Sequence, residues 1–174
     1  MSTLARAGRI AIVAGALAAL LAGGWWLYRA GPGGAEGQGD ALLPPRELDG
    51  QPLVQLQRGE EAVRAINRLH RTAIEIVDGY VATYGRGHGQ IVVWRAKATS
   101  ETKAHELVNA MTEKMATSSI FSQPRPVTVG GRLLYFTAGA GMRNYYWASG
   151  RDVFWVGIVS AREEQVIEAL LSHR

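Results

Sequence analysis

The chain has 174 residues, 47% of them apolar and 20% charged, with no cysteine and a formal net charge of +4. That leaves room for one ordinary domain and an appendage, and it excludes disulfides, thiolate catalysis, zinc-thiolate sites and covalent attachment of a c-type haem. The pI near 9.7 invites a nucleic-acid reading, but residues 1–29 carry Arg6, Arg9 and Arg29 with no acid, and residues 30–174 carry 16 basic against 15 acidic side chains. The clustered positive footprint of a phosphate-backbone binder is therefore missing, and no nucleic-acid partner is expected.

Between Arg9 and Arg29 lie nineteen uncharged residues, IAIVAGALAALLAGGWWLY. At about 1.5 Å per residue a helix of that length approaches the roughly 30 Å of a bilayer core, so residues 10–28 read as a transmembrane signal anchor. Trp25, Trp26, Tyr28 and Arg29 fall at its C-terminal end, where amphipathic rings and a snorkelling cation suit the headgroup layer. The basic residues before the helix put residues 1–9 in the cytoplasm and the rest of the chain on the periplasmic side of the inner membrane. A cleaved secretory signal is the competing reading, opposed by the long apolar run and the tryptophan pair; either way the domain is exported. Ala11, Gly15, Ala19 and Gly23 recur every four residues, a spacing that lets another membrane helix approach closely or that arises by chance in an Ala-rich anchor. Residues 29–46 are rich in Gly and Pro and read as a flexible linker.

The remainder, 47–174, has regular patterning. LVQLQ at 53–57 reads as a short strand, and GEEAVRAINRLHR from Gly59 as a helix with Val63, Ile66 and Leu69 on one face. AIEIVDGYVATYG and QIVVWRAKA, separated by RGHG, read as an antiparallel pair. Thr99 and Ser100 precede a second helix with Ala104, Leu107, Val108, Met111 and Met115 at helical spacing. Gly130-Gly131 and Gly150-Arg151 each sit between β-forming runs and read as hairpin turns. Ser160 three residues before Glu163 predicts a capping box for a last helix carrying Val166, Ile167, Leu170 and Leu171. The expected architecture is α+β: a curved antiparallel sheet with about three helices largely on one face. Its element order resembles that of ferredoxin-like plaits, and the resemblance rests on order alone.

Chemistry is sparse. The histidines, His70, His88, His105 and His173, match no metal-ligand spacing, and Glu101 one turn before His105 is the pattern of a solvated helix pair, so no metal is expected. GRGHG at 85–89 superficially resembles a phosphate loop, but it opens into a strand instead of a helix N-terminus. Ser118, Ser119 and Ser122 have no histidine near them in sequence, and no paired-carboxylate pattern stands out. No catalytic constellation and no cofactor site is expected.

The distinctive stretch is TAGAGMRNYYWASGRDVFWVG, Thr137 to Gly157. A turn at Gly150-Arg151 pairs Ser149 with Asp152, Trp147 with Phe154, Tyr146 with Trp155 and Tyr145 with Val156. Both faces of that hairpin are then apolar, so either helices cover the second face or it meets a partner. Arg143, Tyr146, Arg151, Trp155 and Trp94 are the candidate docking residues, since interfaces are enriched in Tyr, Trp and Arg. The expected role is a membrane-anchored accessory or assembly subunit of a larger complex, of the kind found in electron-transfer or photosynthetic assemblies. A tethered module holding a small molecule or lipid on a concave sheet face is the alternative, and an enzyme comes third.

Overall fold

The computed structural model describes residues 43–70 and 74–173. The segment read as an anchor, with its small-residue stripe and interfacial aromatics, lies outside them; among the described residues no helix is long and apolar enough to cross a membrane. The compact unit begins at Pro44, inside the segment read as linker. It contains β1 (Glu47–Leu48), β2 (Gln51–Arg58), α1 (Gly59–His70), β3 (Ile76–Tyr84), β4 (Ile91–Ala98), α2 (Glu101–Ala116), β5 (Arg125–Val129), β6 (Arg132–Gly139), β7 (Met142–Ser149), β8 (Asp152–Ile158) and α3 (Glu163–Ser172).

The fold is α+β. One eight-stranded sheet runs β1-β2-β3-β4-β8-β7-β6-β5, and every neighbouring pair is antiparallel. In a ferredoxin-like plait, strands joined through a helix are parallel and separated by an intervening strand; here β2 and β3, joined through α1, are adjacent and antiparallel, so the resemblance in element order does not extend to topology. Both turns read from sequence set the observed registers, Val129 opposite Arg132 and Ser149 opposite Asp152. Gly130 and Gly131 both have positive φ, whereas at the second turn only Gly150 does, the patterns of type I′ and II′ hairpins. A third turn at Asp49-Gly50, also with two positive φ values, makes β1, a strand that precedes the first one read from the sequence.

Helices lie on both faces of the sheet. Two of them, α1 and α2, cover one face, while α3 packs Val166, Ile167 and Leu170 against the other. The expectation of helices largely on one face thus needs correction, because strand residues on both faces are apolar and each face requires a cover. The α3 face is concave, as simple lengths show. A flat eight-stranded sheet would measure about 34 Å from edge to edge, and a ten-residue helix only about 15 Å. Yet α3 begins against the β1–β2 turn, where Asp49 accepts a bond from the Arg162 amide at 2.9 Å. It ends against the β5–β6 turn, where a Cβ placed on Gly130 would lie 3.6 Å from Leu171 Cδ1. The sheet must curl around the helix for both edges to reach it.

Two local expectations are also corrected. The capping box at Ser160 does not form: α3 starts at Glu163, the N-cap is Arg162, and no side chain caps it. The tertiary contact from Asp49 engages this end of the helix instead, through the Arg162 amide and Nε (2.7 Å). That pairing, led by the backbone amide, holds the Asp49 carboxyl below its ordinary 3.8. In α1 the buried stripe is Ala62, Ala65 and Ile66, with Val63 only partly covered. Small residues face the sheet because α1 lies close to it over Gly79, where an added Cβ would sit 3.2 Å from Ile66 Cδ1. The second helix follows its predicted cap, with Ser100 Oγ accepting from the Lys103 amide at 3.1 Å.

Candidate functional site

On the face covered by α1 and α2, strand register brings four aromatics into one transverse row. Trp94 on β4 stands opposite Trp155 on β8, Trp155 opposite Tyr146 on β7, and Tyr146 opposite Tyr135 on β6. Opposed residues in antiparallel strands share a face, so the row crosses four adjacent strands. The Tyr146 ring stacks on Trp155 at 5.3 Å between centroids and on Tyr135 at 5.4 Å, near-parallel arrangements worth about 0.5–1.5 kcal/mol each beyond their burial.

Hydrogen bonds fix the row. Thr112 on α2 donates its hydroxyl proton to the Val108 carbonyl at 2.9 Å, so the 3.0 Å contact between Thr112 Oγ1 and Tyr146 OH must take its proton from the tyrosine. Tyr146 is fully buried, and burial raises its phenol pKa above the ordinary value. Asn144, also buried, donates Nδ2 to the Gly139 and Met142 carbonyls and accepts from Trp155 Nε1, each at 3.2 Å. These donors set both the amide orientation and the indole plane.

The loop after α2 supplies a fifth ring. Phe121 meets Trp155 edge-on at 5.7 Å, and it can do so because Gly139 beneath it has no side chain; a Cβ there would lie 2.7 Å from the Ile120 carbonyl oxygen and strike the Phe121 ring. Thr137, fully buried, holds this loop by donating to the Ser122 carbonyl at 2.6 Å, while Ser122 Oγ accepts from the Ala138 amide at 2.8 Å. Ser118 Oγ accepts from the amides of Ile120 and Phe121. These serine hydroxyls therefore shape the loop backbone.

The five docking candidates separate. Trp94, Tyr146 and Trp155 share the row, but Tyr146 lies under α2 and offers no surface. Trp94 and Trp155 are each partly covered and belong to different apolar clusters, one beneath α1 and one beneath α2; they meet at the seam between the helices. Arg143 lies on the opposite face, paired with Glu163 of α3. Arg151, at the β7–β8 turn, donates Nε to the Ala98 carbonyl at 3.0 Å and accepts from the Ala98 amide at 2.8 Å. Ala11, Gly15, Ala19, Gly23, Trp25, Trp26, Tyr28 and Arg29 lie outside the described residues. Sequence reasoning missed Tyr135, Asn144 and Phe121 as parts of the row. Tyr135 could have been found by extending the hairpin register one strand further; Phe121 could not, since a loop contact leaves no periodic trace.

Elsewhere, His105 and Glu101 are exposed and 4.0 Å apart, and among the described residues no cluster of three metal-ligating side chains is present. The glycine-rich stretch 85–89 forms the β3–β4 tip, with a one-turn 3-10 helix at Gly87–Gly89. On the concave face Arg95, 3% exposed, pairs with Asp152 at 2.8 Å and lies over the Tyr80 ring, whose buried phenol is pushed up to about 12. Searches with known proteins add no relative: no family model, no curated protein and no solved structure matches this chain.

Proposed function

We propose that the protein is a single-pass, membrane-anchored envelope component whose extracytoplasmic α+β domain docks onto another subunit of a membrane complex as an accessory or assembly factor. The observation that carries the reading is the Trp94–Trp155 pair at the seam of α1 and α2. Two adjacent indoles, one tethered by Asn144 and flanked by Phe121, present a rigid and only partly covered aromatic strip, the residue type that anchors protein interfaces. The uncharged run from Ile10 to Tyr28 supports the anchor. As for the alternative of a ligand on the concave face, α3 occupies that face with Val166, Ile167 and Leu170.

The absence of native cysteine makes topology directly measurable. Full-length protein carrying Val77→Cys should react with a membrane-impermeant maleimide from the periplasmic side, whereas Ser2→Cys should react only after lysis, with both variants resisting carbonate extraction. In mild detergent the native protein should migrate with a second polypeptide in fixed ratio. Extraction by carbonate would overturn the anchor; a lone polypeptide in mild detergent would overturn the accessory role.

A further inference from the structure

Phe136, on the concave face at the β5–β6–β7 edge, is covered by two guanidinium groups. The Arg125 Cζ lies 4.7 Å from the ring centroid and the Arg143 Cζ lies 4.8 Å from it, so the two charges are at most about 9.5 Å apart by simple geometry. Both side chains are exposed, yet Phe136 itself is only 6% exposed. The ring acts as a platform that holds both cations in place. Strand register explains the convergence: Arg125 is directly opposite Phe136, and Arg143 is two residues from Tyr145, which is opposite Phe136 on the other side.

The balance of charge at this spot is uneven. Arg143 directs Nε to Glu163, and Glu163 also accepts from the Tyr145 hydroxyl, so one acid is held by two donors on the α3 side. Arg125 has no acidic partner among the described residues. The cluster of Arg125, Arg143 and Glu163 therefore carries one surplus positive charge, with planar forks of N–H donors fixed over one ring. Guanidinium forks in that state recognise oxyanions bidentately, and pre-organisation by stacking reduces the entropy lost on binding.

We propose that Arg125 and Arg143 form an oxyanion clamp that takes one phosphate group, with Phe136 as its platform and Glu163 as the acid that positions Arg143. A phosphate group reaches such a clamp either free in solution or as the phosphodiester of a lipid headgroup. The clamp does not depend on the docking strip, which is on the other face.

The test uses the full chain in zwitterionic detergent, titrated calorimetrically with inorganic phosphate and separately with glycerophosphoglycerol, the soluble headgroup of phosphatidylglycerol. Saturable binding of either, weakened about tenfold or more in Arg125→Gln and less in Arg125→Lys, supports the clamp; the tighter of the two titrants names the source. Arg125→Gln should keep the native circular dichroism spectrum, because the side chain lies at the surface, and Arg125→Lys preserves the charge should packing over Phe136 prove necessary for folding. No saturable binding of either titrant, or equal binding by the native protein and Arg125→Gln, would overturn the proposal.

Discussion

The two faces of the sheet are closed by different physical means. On the concave face one short helix fills the curl, Val166, Ile167 and Leu170 entering a core built from six or more strands, and charged contacts at its start hold it in place: Asp49 with Arg162, Glu163 with Arg143. On the convex face two helices each cover part of a flatter surface; α1 lies close through alanines, α2 hydrogen-bonds to Tyr146, and between them a tryptophan strip is left partly covered. A curled face can be sealed by one element, whereas a convex face spreads its residues apart and leaves seams. The difference teaches that exposure of apolar surface follows from curvature as much as from composition, and the partly covered tryptophan strip proposed for docking lies on the side that curvature opens.

Variants should separate the faces by size of effect. The largest is expected at the concave core. Ile167→Ala removes a fully buried side chain and should cost about 3–4 kcal/mol in denaturant unfolding, with the cavity adding to the transfer loss. On the convex side, Gly79→Ala should cost about 2 kcal/mol, since the added methyl meets the rigid Arg95 carbonyl of β4 and crowds Ile66 of α1. Gly157→Ala meets chiefly the flexible end of Met142, whose Sδ would lie 2.6 Å away, with Asn144 Oδ1 at 3.2 Å, and its cost should stay below about 1 kcal/mol. If the two glycine variants unfold at the same denaturant concentration, the close seating of α1 is not what the fold depends on.

Removal of the latch should fall between the two glycine variants. Asp49→Ala gives up bonds to the Arg162 amide and guanidinium and should cost about 1–2 kcal/mol near neutral pH. The sign of its pH dependence follows from the lowered carboxyl pKa: the contribution is present above the ordinary value of 3.8 and is lost as pH falls through the depressed folded value. Native and variant unfolding curves should therefore converge on acidification below pH 3.8; a gap that stays constant would mean that the carboxylate charge contributes nothing. The smallest expected effect is a gain. Ala140 holds a positive φ of 53° at the first position of the β6–β7 turn, a conformation that asparagine tolerates better, so Ala140→Asn should stabilise by about 0.5–1 kcal/mol.

Much of this fold was legible in the sequence where the information is local. The helix spacings, the two glycine turns and the in-register pairing of Tyr146 with Trp155 all follow from periodicity and turn chemistry. What was not legible depends on contacts distant in the chain. β1 is two residues long and exists because Leu48 is needed in the core and Asp49 at the start of α3, 113 residues away. The alignment of Trp94 with Trp155 requires β4 to pair with β8, which no local signal specifies. The capping box failed for the same reason: Asp49 supplies from afar the acceptor that Ser160 was expected to provide. Of the candidate docking residues, strand alternation already puts Arg143 on the Tyr145 face, away from Tyr146, whereas nothing local shows that Trp94 shares a face with Trp155 or that α2 buries Tyr146.

The most direct test of the docking strip is Trp94→Ser in the full-length chain, purified from its native membrane in mild detergent beside the native protein and a Val77→Ser control, which alters an exposed residue of β3 away from the seam. The account predicts that native protein and control bring down the same second polypeptide in fixed ratio, while Trp94→Ser remains folded and comes down alone. Retention of that polypeptide by a folded Trp94→Ser protein would contradict it.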